Sequence, residues 1–190
     1  MAVALVYETH TLTTDNEAGI STGWLPGQLS AEGVREALDL GERRRGEDIA
    51  AVFTSDLHRS VETARIAFPG GRPPIHQDVR LRECDYGDLN GSPSHLVDAQ
   101  RARRINTPFP GGQSYRQVLA ATDSFLRELA EHHDGRRVLV IAHTANKWAL
   151  DCLLTGASLP DLLAAPFAWQ PHGWCYTVPT GWGAGTGQPS

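Results

Sequence analysis

The chain has 190 residues, 41% of them hydrophobic, which is about one domain's worth and enough for one substantial core. Its 17 basic and 22 acidic residues give a formal net charge of −5, which argues against non-specific nucleic-acid binding but leaves room for a small anionic ligand held by a local arginine cluster. No apolar run reaches the roughly 18 to 20 residues of a membrane span, and the start, MAVALVYETH, lacks a basic leader region. Cys84, Cys152 and Cys175 are odd in number and in no metal-like spacing, and are expected to be free thiols in a reducing cytoplasm.

VALVY (3–7) is short, apolar and partly β-branched, and predicts a buried strand. The polar stretch that follows, through Gln28, predicts a long loop, kept ordered by Trp24 and Leu25. Ser30 is a candidate N-cap for a helix to about Arg45, with Val34, Ala37, Leu38 and Gly41 on one face. IAAVFTS (49–55) predicts a second strand and 56–68 a second helix, closed by Gly70, Gly71, Pro73 and Pro74. A weak strand is expected over 75–79. Residues 84–112, rich in Gly, Pro, Asp and Arg, predict loops with a short helix near 94–103. The clearest helix is 114–133, with Tyr115, Val118, Leu119, Thr122, Phe125, Leu126 and Leu129 inward. RVLVIAH (137–143) is apolar almost throughout, as a strand covered on both faces should be. A helix over 146–156 and a last strand over 173–178 complete a single domain of 1–180, followed by a flexible glycine-rich tail, 181–190.

Strands alternating with helices predict an α/β three-layer sandwich, a mostly parallel central sheet with helices on both faces. Ligands in such folds sit beyond the carboxyl ends of the strands. His10 and His143 follow the first and the most apolar strands, so one crevice is able to receive both. Each alone fits a surface residue equally well. Together, beside an arginine, two imidazoles can hold and attack a phosphoryl group. Arg59, early in its helix, and Glu83, in RLRECDYGD, fit either surface ion pairs or a site, where Glu83 would need a raised pKa to give a proton to a leaving alkoxide. His132 and His133 are adjacent and cannot easily share a metal. No phosphate-binding glycine loop and no GxSxG elbow occurs, and neither a metal nor a cofactor is expected.

Four segments in order, VFTSDLHRSVETA, LRECDYGDLNG, PGGQSYRQV and VLVIAHTANKWAL, resemble those of the histidine phosphatase superfamily, the phosphoglycerate-mutase-like fold. The resemblance runs from Val3 to about Val178, with Gln113 where a glutamate is usual. It implies that His10 is the nucleophile that becomes phosphohistidine, Arg59 a phosphate-pocket arginine, Glu83 the acid for the leaving group and His143 the second pocket histidine. Asn16 would line the phosphate site, Ser21 and Thr22 would donate hydroxyls to the same oxygens, and Thr9 and Thr144 are expected to bind substrate.

The first motif departs from the family: Thr9-His10-Thr11 stands where Arg-His-Gly is usual. Threonine cannot replace the charge of the phosphate-clamping arginine, and Thr11 is bulkier than glycine. Arg82 and Lys147 are candidate substitute cations, although Lys147 is expected to face solvent. In 84–112, Asp85, Tyr86, Arg101, Arg103 and Arg104 are candidates for a pocket cap. The resemblance implies a cytoplasmic phosphomonoester hydrolase of a small, anionic metabolite, possible as a homodimer, with no nucleic-acid or membrane partner. The alternatives are a mutase, an isomerase or other non-phosphoryl chemistry in the same pocket, or a catalytically weak ligand-binding protein.

Overall fold

The computed structural model describes residues 1–183. A five-stranded sheet carries the fold, in the order β4-β3-β6-β1-β7, with β1 Val3–Thr9, β3 Ile49–Thr54, β4 Ile75–Gln77, β6 Arg137–Ala142 and β7 Trp174–Val178. All neighbours are parallel except β7, which runs antiparallel along β1. A second, two-stranded sheet pairs β2 (Ile20–Ser21) with β5 (Ser92–Pro93). The loop expected after β1 therefore contains β2 and a one-turn helix, α1 (Thr14–Glu17), capped by the Thr13 side chain.

Alternation along the strands sorts the core into two layers. Leu5, Tyr7, Val138 and Val140 face Phe125, Leu126 and Leu129 of α5 (Tyr115–His132) and Leu150 of α6 (Thr144–Thr155). Val6, Val52, Leu139 and Ile141 face the other way, onto Leu40 of α2 (Ala31–Arg43) and Ala64 and Ala67 of α3 (His58–Ala67). The result is the expected sandwich, with helices on both faces of a mixed sheet. A third cluster joins Cys84, Tyr86, Val97 and Phe109 of the segment above the sheet to Tyr115, Trp148 and Leu163. That segment contains the short helix α4 (Ser94–Asp98) and a 3₁₀ turn over Arg101–Arg104.

Several boundaries and faces differ from the sequence expectations. Ser30 does cap α2, accepting from the Gly33 N–H at 3.1 Å. Its buried residues are Gly33, Ala37 and Leu40, however, while Val34 and Leu38 are 36% and 53% exposed. α6 begins at Thr144, directly after His143, two residues earlier than expected. A further helix, α7 (Leu159–Ala164), opens with proline in its first turn. Lys147 is buried, not solvent-facing: it pairs with Asp151 at 2.5 Å and lies over the rings of Trp174 and Tyr176. Trp182, at the start of the expected tail, packs on the core and donates to Asp123 Oδ1 at 2.8 Å, and 184–190 lie outside the described residues. Among the described residues no helix is long and apolar enough to cross a membrane.

The face of α2 is open to a direct test. Leu40 is 1% exposed, so Leu40→Ala should cost about 2–5 kcal/mol in urea unfolding. Leu38→Ala should stay within about 0.5 kcal/mol of wild type. Equal losses would show that the helix packs through the Val34–Leu38 face instead.

Candidate functional site

The parallel strands β1, β3 and β6 end on one edge of the sheet, and each delivers a polar residue there. β1 ends in Thr9 and His10, β3 runs into buried Ser55, and β6 runs into buried His143. The His10 N–H donates to the Ala142 carbonyl at 2.9 Å, which ties the two histidine-bearing ends together. The imidazoles of His10 and His143 lie 5.1 Å apart between centroids, tilted by 58°.

Arg59 enters from the first turn of α3 and is 2% exposed. Its Nε donates to His10 Nε2 at 3.2 Å, and Nη2 donates to the Gly23 carbonyl at 2.8 Å and lies 3.4 Å from His143 Nδ1. These contacts set the tautomers by elimination. His10 Nδ1 faces the Thr11 carbonyl at 2.8 Å and must carry the proton, so Nε2 is the unprotonated nitrogen and its lone pair accepts from Arg59 Nε. His143 Nε2 lies 2.7 Å from Ser55 Oγ, and the Tyr7 hydroxyl donates to the His143 carbonyl at 2.5 Å. Ser55 and Tyr7 position His143. Neither stood out in the sequence, because their contacts join segments 88 and 136 residues apart.

Burial first, and the Arg59 cation second, pull His10 from its ordinary value near 6.5 down to about 3. Burial, Arg59 and His10 hold His143 well below its ordinary value as well. Both rings are therefore neutral at pH 7. Glu83 moves in the opposite sense. It is 8% exposed, and burial raises its carboxyl above the usual range despite the Cys84 N–H at 2.8 Å and the nearby Arg59.

His10, Arg59 and Glu83 line one cavity of about 200 Å³, which also contains Asn16, Ser21, Thr22, Gly23, Tyr86 and Thr144, whereas His143, fully buried, lies behind Arg59 and is not part of its wall. Gly23 has φ +56°, and a Cβ there would sit 1.8 Å from Asn90 Oδ1, so the turn that aims its carbonyl at Arg59 requires glycine. Of the candidates in 84–112, Tyr86 and Arg101 reach the cavity, together with Ser94 and Asp98. Arg101 pairs with Asp98 at 2.7 Å and lies 5.1 Å over the Trp148 ring.

The remaining sequence candidates fall out as follows. Asn16 and Thr144 line the cavity. Ser21 and Thr22 line it too, but their hydroxyl protons are spent on Ser94 Oγ at 3.1 Å and Asp15 Oδ2 at 2.7 Å, so neither is the free donor expected. Thr9 does not border the space in front of Glu83; it opens onto an adjoining recess with His10, Asn16 and Thr144. Thr11 turns away from the cavity, its backbone N–H and hydroxyl meeting Thr63 Oγ1 at 3.2 and 3.1 Å. Arg82 is no substitute cation for the site: it is bound to Asp56 and stacked on Trp24. Lys147 is likewise committed to Asp151. Among the described residues, no three His, Cys, Asp or Glu side chains converge to hold a metal ion.

The neutral imidazoles have a consequence for stability. Because both are held below 6.5, the unfolded chain binds more protons than the folded one as pH falls past that value. Their contribution is thus complete above about pH 6.5 and is lost progressively in acid. Urea midpoints should fall between pH 7.5 and 5.0, while ¹⁵N spectra keep His10 in the Nδ1–H neutral form across that range. A His10 titration centred near 6.5 would contradict the geometry.

Comparison with known proteins places the chain. The profile of the histidine phosphatase superfamily (branch 1) matches residues 9–181. A 2,3-bisphosphoglycerate-dependent phosphoglycerate mutase of Bradyrhizobium sp. is 32% identical over 165 residues, covering 79% of this chain and 80% of its own. Among solved structures, Bacillus stearothermophilus YhfR superposes with a TM-score of 0.80 at 26% identity, covering 90% of this chain and 88% of that one. A mycobacterial glucosyl-3-phosphoglycerate phosphatase complexed with VO3 superposes with a TM-score of 0.74 at 26% identity, covering 86% and 87%. With a family match over nearly its whole length, and with three of the four ordered segments contributing to one cavity, the chain belongs to the histidine phosphatase superfamily.

Proposed function

We propose that the protein hydrolyses the phosphomonoester of a small metabolite through a phosphohistidine on His10. The observation that carries this reading is the neutral His10 Nε2 lone pair beside Arg59, in a cavity that also holds a carboxyl with a raised pKa, Glu83. As the bound phosphoryl oxygens draw the Arg59 Nε–H away from His10, the freed Nε2 lone pair attacks phosphorus, the P–N bond forms and the ester P–O bond breaks. The departing oxygen takes its proton from Glu83. Arg59 and Asn16, which line the cavity, meet the equatorial oxygens, His143 supports Arg59 from behind with its Nδ1 3.4 Å from Nη2, and the Thr11 carbonyl holds the Nδ1 proton of His10 as the ring becomes positive. Water then gives a proton to the Glu83 carboxylate and attacks phosphorus, the P–N bond breaks, and inorganic phosphate leaves with His10 neutral again.

The mutase reading draws on the Bradyrhizobium relative. A mutase must hold a second acidic substituent while the substrate turns over in the site. The cavity offers Arg59 and Arg101 as cations, and Arg101 is already paired with Asp98. That balance favours one anionic group and release of phosphate to water.

Rapid-quench labelling with a ³²P ester should place acid-labile, base-stable label on His10, and His10→Ala should abolish it. Glu83→Gln should slow adduct formation most for esters with poor leaving groups, and should remove the fall in rate on the alkaline side that deprotonation of Glu83 produces. Label on another residue, or an equal Glu83→Gln effect on all leaving groups, would remove this mechanism.

Thr9 leaves the phosphoryl group one charge-assisted bond short, a difference of roughly 1.5–3 kcal/mol or about ten- to a hundredfold in affinity. Because Thr9 lines an open recess, Thr9→Arg has room for its side chain and should tighten vanadate binding by that factor. Tight binding by wild type with no gain in Thr9→Arg would show the positive charge to be complete without it.

A further inference from the structure

Past His10, Asn16, Thr144 and Phe167, the cavity in front of Glu83 continues into a second recess of about 400 Å³. Its other walls are Thr9 at the end of β1, Leu12, Glu36 of α2, and Trp169. Its own lining contains no lysine or arginine; past Thr9, Glu36 and Trp169 it adjoins a further recess whose Arg43 is paired with Glu8 at 3.4 Å and stands beside Asp39. The lining in front of Thr9 offers instead one carboxylate, two aromatic side chains and two threonines.

Glu36 is held in place. Its Oε2 accepts from the Leu12 N–H at 2.9 Å, and Oε1 has no hydrogen-bond partner among the described residues. Trp169 is 55% exposed, one of few large apolar side chains left uncovered. Phe167 makes an edge contact with Trp148 at 6.3 Å and a tilted one with Trp174 at 5.9 Å. Aromatic faces beside a carboxylate are the chemistry that recognises an organic cation. They would repel or ignore a second phosphate or carboxylate.

The charge balance of the joined cavities points the same way. Arg101 is neutralised by Asp98, which leaves Arg59 as the one lining cation without a carboxylate partner within 4 Å among the described residues. A phosphoryl dianion bound there is under-compensated. An ester that carries its own ammonium group supplies the second positive charge, and the recess beside the reacting centre is built to receive it. We propose that the substrate is an aminoalkyl phosphate monoester, its phosphoryl group at His10 and Arg59 and its ammonium in the recess between Glu36, Phe167 and Trp169. The proposal rests on the hydrolase reading above.

The test compares esters matched in shape and differing in charge, with phosphate release measured on the purified full chain. The pairs are O-phosphoethanolamine with n-propyl phosphate, and phosphocholine with 3,3-dimethylbutyl phosphate. Within each pair kcat/KM should favour the ammonium ester about tenfold or more. Glu36→Gln retains an oxygen for the Leu12 N–H and should bring that ratio towards one. Trp169→Leu, at an exposed position, should reduce it for the choline pair. Equal kcat/KM within the pairs, or a preference that survives Glu36→Gln, overturns the proposal. With p-nitrophenyl phosphate as a common reference the two levels separate. Turnover of the reference without ammonium preference sinks this inference alone, whereas no turnover of any ester and no labelled His10 sinks the hydrolase reading and this inference with it.

Discussion

A guanidinium buried between two imidazoles needs those imidazoles to be neutral, and the rest of the site is arranged around that requirement. Arg59 is nearly inaccessible, and a buried cation is costly unless it is satisfied. Its short contacts are dipoles and lone pairs: the Gly23 carbonyl and His10 Nε2. They stabilise the charge without cancelling it, so an anion entering the cavity meets a preorganised positive group. Each partner then constrains its own segment. The loop before Trp24 must curl through a positive-φ glycine to aim its carbonyl. β1 and β6 must end level with each other, which their parallel register provides by pairing Thr9 with Ala142. α3 must start directly after β3 so that its first turn carries Arg59 over the strand ends.

Strand positions were legible because burial on both faces leaves a run of apolar residues, as in β6, and because glycine and proline punctuate the chain. What remained hidden had no local signal. The buried face of α2 is a case in point. A Cβ at Gly33 would lie 1.9 Å from the Leu12 carbonyl oxygen, and one at Gly41 2.3 Å from that of Ala67. The helix packs through a smooth stripe of small residues that allows close approach. Periodicity placed Ala37 and Gly41 on the inner face but, weighing bulk, set Val34 and Leu38 beside them, which face out, in place of Gly33 and Leu40. Lys147 was misread for a related reason. Its partners are Asp151, one turn on, and Trp174 and Tyr176 of an antiparallel edge strand, whose direction no local pattern encodes.

At the site, the strand-end rule brought His10 and His143 together from the sequence alone, while Arg59 and Glu83 needed the ordered segments to lift them above ordinary surface pairing. The supporting groups were out of reach. Ser55 and Tyr7 act on His143 through single hydrogen bonds across the sheet. Arg101 was one of five cap candidates, and what selects it with Tyr86 is the way the 84–112 segment packs on Tyr115 and Trp148. Conversely, Ser21 and Thr22 have the right chemistry at the right place, yet their protons go to Ser94 and Asp15. A hydroxyl's role depends on where its one proton points, and composition cannot supply that.

The two threonines that flank His10 do different work, although they read as one altered motif. Thr11 is 8% exposed, and its meeting with Thr63 ties the loop after β1 to the second turn of α3, the helix that carries Arg59. Its extra bulk is absorbed away from the reacting atoms, so it braces the site without crowding it. Thr9 points to the other side and removes both a charge and a long side chain from the edge of the cavity. Those two losses have one geometric outcome: the volume beside His10 is open, and its remaining charged wall is Glu36. The buried cation Arg59, the neutral His10 imidazole and the Glu83 carboxyl, pushed upward by burial, all stand at the cavity, which is what the proposed hydrolase reading requires. On that reading, the change at position 9 bears on which phosphate is accepted, because it alters the charge and the space beside His10 and leaves Arg59 and Glu83 in place.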